Sequence, residues 1–230
     1  MVTGRPGSAN GVPADRAPAN GAPADGIPGD EAYRIVRSRI DLTRLAPLSR
    51  YVTERVIVAS ADFDYATDLV CDERVLAAGV AEIAAGMPVI ADSVMVAAGI
   101  PGYPVICKSE ESLTERLSRT AGISKPAAAV RLAFGQAGPG AIWVVGCAAE
   151  ALAEIMSRNV QPALVIALPV GLDGAAEAKD ALRASGLPAL TNMSEKGGPA
   201  VAAAAFCALA DAARAAAGAA AGEETRPGSH

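Results

Sequence analysis

The chain has 230 residues, of which 51% are apolar but only 3% aromatic, and a formal charge of −5. This length supplies one domain of ordinary size with enough chain for a core, and the excess of alanine over rings predicts helices and sheet that approach closely. The acidic balance, with no Lys/Arg block, excludes nonspecific nucleic-acid binding, which needs a basic surface to displace phosphate counterions.

Residues 1–26, MVTGRPGSANGVPADRAPANGAPADG, lack the apolar core of a signal peptide and carry too little apolar area to order themselves, so a disordered tail is expected. The domain is expected to span 27–220. Within it RVIVA (55–59), PVIAD (88–92), PVICK (104–108), AIWVVG (141–146), ALVIALPVG (163–171) and PALTN (188–192) read as strands. Apolar residues at consecutive positions suit strands covered on both faces. Helices are predicted at Asp72 to Ala85 behind an Asp cap, Ser112 to Ala121, Ser124 to Phe134, Ala148 to Asn159 and Ala175 to Ser185. The alternation implies a three-layer α/β domain, a mostly parallel sheet with helices on both faces.

AVAAAAFCALADAARAAAGAAAG near the end is mostly alanine and contains Asp211 and Arg214, so it reads as a terminal helix of a soluble fold and not as a membrane span. Residues 221–230 are expected to be a flexible tail. A cytoplasmic location is expected from the lack of targeting signals. Cys71, Cys107, Cys147 and Cys207 are far apart and the one histidine is His230, so reduced thiols are expected and a metal site is not.

Ligands of such a sheet sit beyond the carboxyl ends of its strands. That rule selects ASADFDY, ADSVM, GCAAE, LPVGLDGAAEAK and SEKGGPA. Gly146, Gly171, Gly174, Gly197 and Gly198 fall there, and glycine lets a main chain present N–H groups close to an anion; the plainer alternative is that they only make turns. None fits a nucleotide-binding pattern, so no cofactor is expected.

MPVIADSVMVAAGI, LPVGLDGAAEAKDAL and EKGGPAVAAAA, in this order and spacing, resemble the precorrin-8X methylmutase (precorrin isomerase) family over Ile27 to Leu209. The resemblance implies an isomerase of cobalamin biosynthesis, a homodimer that binds a carboxylate-bearing corrinoid. Its reaction is migration of a methyl group from ring carbon 11 to carbon 12, giving hydrogenobyrinate without a cofactor. It also implies a histidine as general acid at the place where this chain has Val58, and valine transfers no proton. Where the family has Thr-Arg-Ser, this chain has Ser124-Lys125-Pro126, and lysine lacks the planar fork of arginine. The Asn of the family's G-N-A-P-T-A-L becomes Cys147, and Glu150 enters the following helix. Ala32, Pro199 and Cys207 stand at three further polar positions.

Two readings follow for the chemistry. In the first, the chain is a methylmutase whose acid is Asp62, Asp64, Tyr65 or Asp92, although Asp62 and Asp64 also suit a helix cap. In the alternative, it is an impaired or inactive corrinoid- or tetrapyrrole-binding paralogue. In both, ligand contacts are expected from Ser60, Asp92, Ser124, Lys125, Gly171, Gly174, Lys196, Gly197 and Gly198, with the two lysines attracting carboxylates. Neither nucleic acid nor membrane is expected as a partner.

Overall fold

The computed structural model describes residues 30–224. The tail expected at 1–26 and His230 lie outside the described residues; of the tail expected at 221–230, residues 221–224 continue the last helix.

The elements run α1 (Asp30–Arg39), α2 (Pro47–Ser60), α3 (Tyr65–Asp68), β1 (Leu69–Cys71), α4 (Glu73–Ala84), β2 (Val89–Ala91), α5 (Val94–Ala98), β3 (Val105–Cys107), α6 (Ser112–Ala121), α7 (Lys125–Ala137), β4 (Ile142–Val145), α8 (Ala149–Ser157), β5 (Leu164–Ala167), α9 (Ala175–Ser185), β6 (Ala189–Asn192) and α10 (Pro199–Glu224). The sheet order is β1-β6-β5-β4-β2-β3. Every pair is parallel except β1 with β6, in which Leu69 opposes Asn192.

Pleating divides the strand residues between two cores. Val89, Ala91, Ile142, Val144, Leu164 and Ile166 point to the layer of α2, α4 and α10. Ile90, Trp143, Val145, Val165 and Ala167 point to the layer of α7, α8 and α9. All residues of β4 and β5 are buried, which is why those segments read as unbroken apolar runs.

Five of the six expected strands and all five expected inter-strand helices form, as does the expected terminal helix, α10. Asp72 caps α4 by accepting from the Arg74 and Val75 N–H groups, and Ser124 caps α7 by accepting from Ala127. The expected strand at 55–59 does not form: these residues are the last turns of α2. Pro47 opens that helix, and buried positions 49, 52, 53, 56 and 57 follow a helical period, with Glu54 buried beside them. The β-branched residues cost a few tenths of a kcal/mol each in a helix, whereas burying Val52, Val56 and Ile57 contributes about 2 kcal/mol each. Burial therefore decides, and the sheet instead takes its first strand from Leu69–Cys71.

α10 is the one helix among the described residues long and apolar enough to cross a membrane. It is engaged within the fold: Val201, Phe206 and Leu209 are buried, and it packs on α2, α4 and α5.

Candidate functional site at the strand ends

The chain leaves β2 for β3 on one side and returns to β4 on the other, so the strand order reverses between β2 and β4. Such a reversal opens a crevice at the carboxyl ends, where α/β folds place ligands. Here Asp92 occupies it. Its Oδ2 accepts the N–H groups of Cys147 at 2.7 Å and Ala148 at 2.9 Å. α8 has no side-chain cap of its own, so a carboxylate from the neighbouring strand does that work. Oδ1 of Asp92 is buried and has no hydrogen-bond partner among the described residues. Burial pushes the Asp92 carboxyl above the usual carboxylate range, against the pull of the N–H donors.

At the ends of β5 and β6 two loops, 168–174 and 193–198, are held together from below. Lys179 on α9 is fully buried. Its ammonium donates to Asn192 Oδ1 at 2.9 Å, Lys196 O at 2.8 Å, Pro169 O at 3.2 Å and Ser194 O. Asn192 Nδ2 in turn donates to Asp68 Oδ2 at 2.7 Å, and Asp68 also accepts the N–H groups of Met193 and Ser194. Burial pulls the Lys179 ammonium down to about 8, which leaves it charged at neutral pH.

Gly197 is fixed by contact: a Cβ there would lie 2.2 Å from the Leu168 carbonyl oxygen. The neighbouring Gly198 N–H donates to that same oxygen at 2.8 Å, and Gly171 N–H donates to Glu195 O at 3.1 Å. Gly174 opens α9 with φ 77°, a left-handed value that other residues adopt at a cost. These N–H groups largely serve loop-to-loop packing.

Asp62, Asp64, Lys196, Gly171, Gly197 and Gly198 converge at this end of the sheet. Lys196 Nζ pairs with Asp62 Oδ2 at 2.8 Å and Asp64 Oδ2 at 2.5 Å, so it does not stand ready for a ligand. The hydrogen bond from Lys196 holds Asp62 below the usual carboxylate range and ionised. Asp64 makes no side-chain cap to α3, and Asp62 Oδ1 instead closes the turn onto Asp64 N–H; the expected caps are turn and ion-pair groups. Tyr65 is buried, and burial raises its phenol to about 12. Ser60 donates to Val56 O and accepts from Asp62 N–H, closing the end of α2. Val58 lies half-buried on that last stretch of α2, packed against the core.

Ser124 and Lys125 are not part of this cluster. They start α7 beside β3, at the opposite edge of the sheet, and Lys125 faces Glu110 at 3.5 Å. With strands ~4.8 Å apart, β3 is roughly 19 Å from β6.

Sequence reasoning passed over Lys179, Asn192 and Asp68. The signal was a lysine spaced with the glycines of LPVGLDGAAEAK, but its partners lie on other elements. It also passed over an exposed apolar rim: Val94 and Met95 after β2, Val170 and Leu172 after β5, and Met193 after β6. A cavity of about 680 Å³ lies beside α1 and α2, lined by Arg37, Arg39, Arg50, Asp41 and Glu54 among others. The four cysteines are free and half-buried, and no group of metal-ligating side chains occurs among the described residues.

The sequence pattern of the precorrin-8X methylmutase family matches residues 29–212. The cobalt-precorrin-8 methylmutase of Methanocaldococcus jannaschii is 33% identical over 155 residues, 66% of this chain and 73% of that protein. The Salmonella typhimurium enzyme of the same name is 32% identical over 182 residues, 76% of this chain and 87% of that one. The crystal structure of the precorrin-8X methylmutase of Thermus thermophilus superposes with a TM-score of 0.74 at 30% identity, covering 82% of this chain and 96% of that one. The shared fold and the match along almost the whole described chain agree: this protein belongs to the precorrin-8X methylmutase family.

Proposed function

We propose that this chain carries out the family's reaction in cobalamin biosynthesis, methyl migration from ring carbon 11 to carbon 12 of a precorrin-8X-type corrinoid, on the face beyond the strand ends. The observation that carries this is the family match over 29–212, which includes both loops at the ends of β5 and β6. The exposed Val94, Met95, Val170, Leu172 and Met193 support it, since a macrocycle offers broad apolar faces. Assembly as a homodimer in the cytoplasm belongs to the same proposal.

The chain's own residues supply binding and orientation, which alone lower a barrier by fixing the reacting geometry. Proton donation is harder to supply. The position that the family resemblance assigns to the acid is Val58, and residues 30–224 contain no histidine. Asp62 is held ionised by Lys196, and Tyr65 gives up a proton only near pH 12. Asp92 is the candidate carboxylic acid whose proton affinity is raised, and one of its oxygens remains without a partner among the described residues. Asp92 is therefore the proposed proton-holding group, and turnover slower than in a histidine-bearing relative is expected.

Mixing the purified chain with precorrin-8X and following the visible spectrum tests this. Appearance of the hydrogenobyrinate chromophore supports the isomerase. Val58 favours one second reading, a corrinoid-binding protein without turnover; a pigment that binds and persists unconverted selects it.

A further inference from the structure

The lysines expected to meet substrate carboxylates are already paired, Lys196 with Asp62 and Asp64 and Lys125 with Glu110. Cationic groups stand instead around the cavity of about 680 Å³ between α1, the 40–46 loop and α2. Its lining carries three guanidiniums, Arg37, Arg39 and Arg50, against two carboxylates, Glu54 and Asp41.

Glu54 is buried and grips Arg37 in a two-point fork, Nε to Oε1 at 3.0 Å and Nη2 to Oε2 at 2.7 Å. That pair neutralises itself. Asp41 Oδ1 accepts from both the Thr43 N–H at 2.9 Å and the Thr43 hydroxyl at 2.6 Å, so one of its two oxygens is turned to its own loop. Arg50 makes no ion pair among the described residues and lies one helical turn before Glu54 on α2. The Arg39 guanidinium carbon sits 5.7 Å from the centre of the Phe63 ring, within cation–π range. Phe63 lies between Asp62 and Asp64, the two residues that grip Lys196. The cavity thus adjoins the turn that borders the strand-end site. Its volume lies within the range of small-molecule pockets.

We infer that this arginine-lined cavity docks peripheral carboxylates of the substrate, with Arg39 and Arg50 as the recognising cations. Guanidiniums suit this because each presents a planar pair of N–H donors to a carboxylate. The inference rests on the corrinoid reading given above, and it locates the acidic rim of the macrocycle over α1 and α2 while its ring faces the apolar residues at the strand ends.

The test is titration of hydrogenobyrinate, followed by absorbance, into the full chain and the variants Arg39→Gln, Arg50→Gln and, as a distant exposed control, Arg119→Gln. Each of the first two is expected to bind about tenfold or more weakly, a loss of one charge-assisted contact; Arg119→Gln stays at the wild-type value. Wild-type affinity in both arginine variants overturns the inference and leaves the corrinoid reading intact. If the wild-type chain binds no hydrogenobyrinate, the corrinoid reading fails, and calorimetry with citrate judges the cavity separately. Citrate binding that disappears in the two variants retains it as a carboxylate site, and no citrate binding overturns it too.

Discussion

The buried Nζ of Lys179 donates to the buried Oδ1 of Asn192 at 2.9 Å and, with Arg183 Nη1 donating to Asn192 O at 2.7 Å, joins α9 to the end of β6. Through Asn192 it reaches Asp68; through Pro169 and Lys196 it reaches both loops at the strand ends. Lys179→Met keeps the stem but leaves the amide oxygen of Asn192 and the Pro169 carbonyl unpaired, while Ser194 O and Lys196 O keep only the Asn192 Nδ2 donor. A loss of about 3 kcal/mol in urea unfolding is expected.

The same lysine sets a pH dependence. Its proton affinity falls from 10.5 in the unfolded chain to about 8 in the fold. Between those values the unfolded chain binds more protons, so this group makes stability rise with pH across that window. Burial raises the Tyr65 phenol and several thiols, which pull the other way in both proteins, so urea midpoints collected from pH 7 to 11 should show the wild type gaining relative to Lys179→Met as pH rises.

Asp92 should respond in the opposite sense. Its folded value lies above its unfolded value of 3.8, so the fold holds the proton more tightly, and its contribution declines as pH rises through the window above 3.8. Asp92→Asn retains an oxygen for the Cys147 and Ala148 N–H groups and removes that decline. Asp92→Ala removes the acceptor and costs about 2 kcal/mol. Midpoints of the three proteins between pH 3.5 and 7 check this. If Asp92 holds the catalytic proton, Asp92→Asn also abolishes conversion of precorrin-8X while remaining folded.

Gly197→Ala places a methyl group against the main-chain Leu168 oxygen. Neither partner is the end of a flexible side chain, so the two loops must separate. The expected cost is about 3 kcal/mol, with loss of pigment binding; thermal melts and absorbance titration measure the two effects. Gly135→Ala, at an exposed position of α7 without a left-handed φ, supplies the contrast, since its Cβ would meet nothing within 4 Å.

Val58→His places an acid at the position on α2 that the family resemblance assigns to one. The site is half-buried, so the helix accepts the ring at a cost of about 1 kcal/mol. Conversion is expected to accelerate by ~10² or more, with the gain fading above pH ~6.5 as the imidazole loses its proton. Val58→Gln, which has a polar side chain but no titrating proton, should give no such gain. Rates that do not change in Val58→His would remove this position from the chemistry.

The alternation of apolar runs with helical stretches was enough to establish the α/β class, five strands and five helices, because covered strands write themselves locally, as do the Asp72 and Ser124 caps. Family motifs likewise lie in contiguous residues. The sequence pattern misassigned residues 55–59 because a β-branched run looks the same whether a sheet or a neighbouring helix covers it; packing on α10 chose the helix. It also nominated Lys196 and Lys125 as free cations and Asp62 and Asp64 as caps. Only the folded chain brings Lys196, 132 and 134 residues away from its two aspartates, into contact with them. The sequence by itself determined five of the six strands, five helices between strands and the family. Tertiary structure decided which charges cancel, which remain for a ligand, and that Asp92 fills the crevice where the strand order reverses, because pairing depends on distance in space and not on separation along the chain.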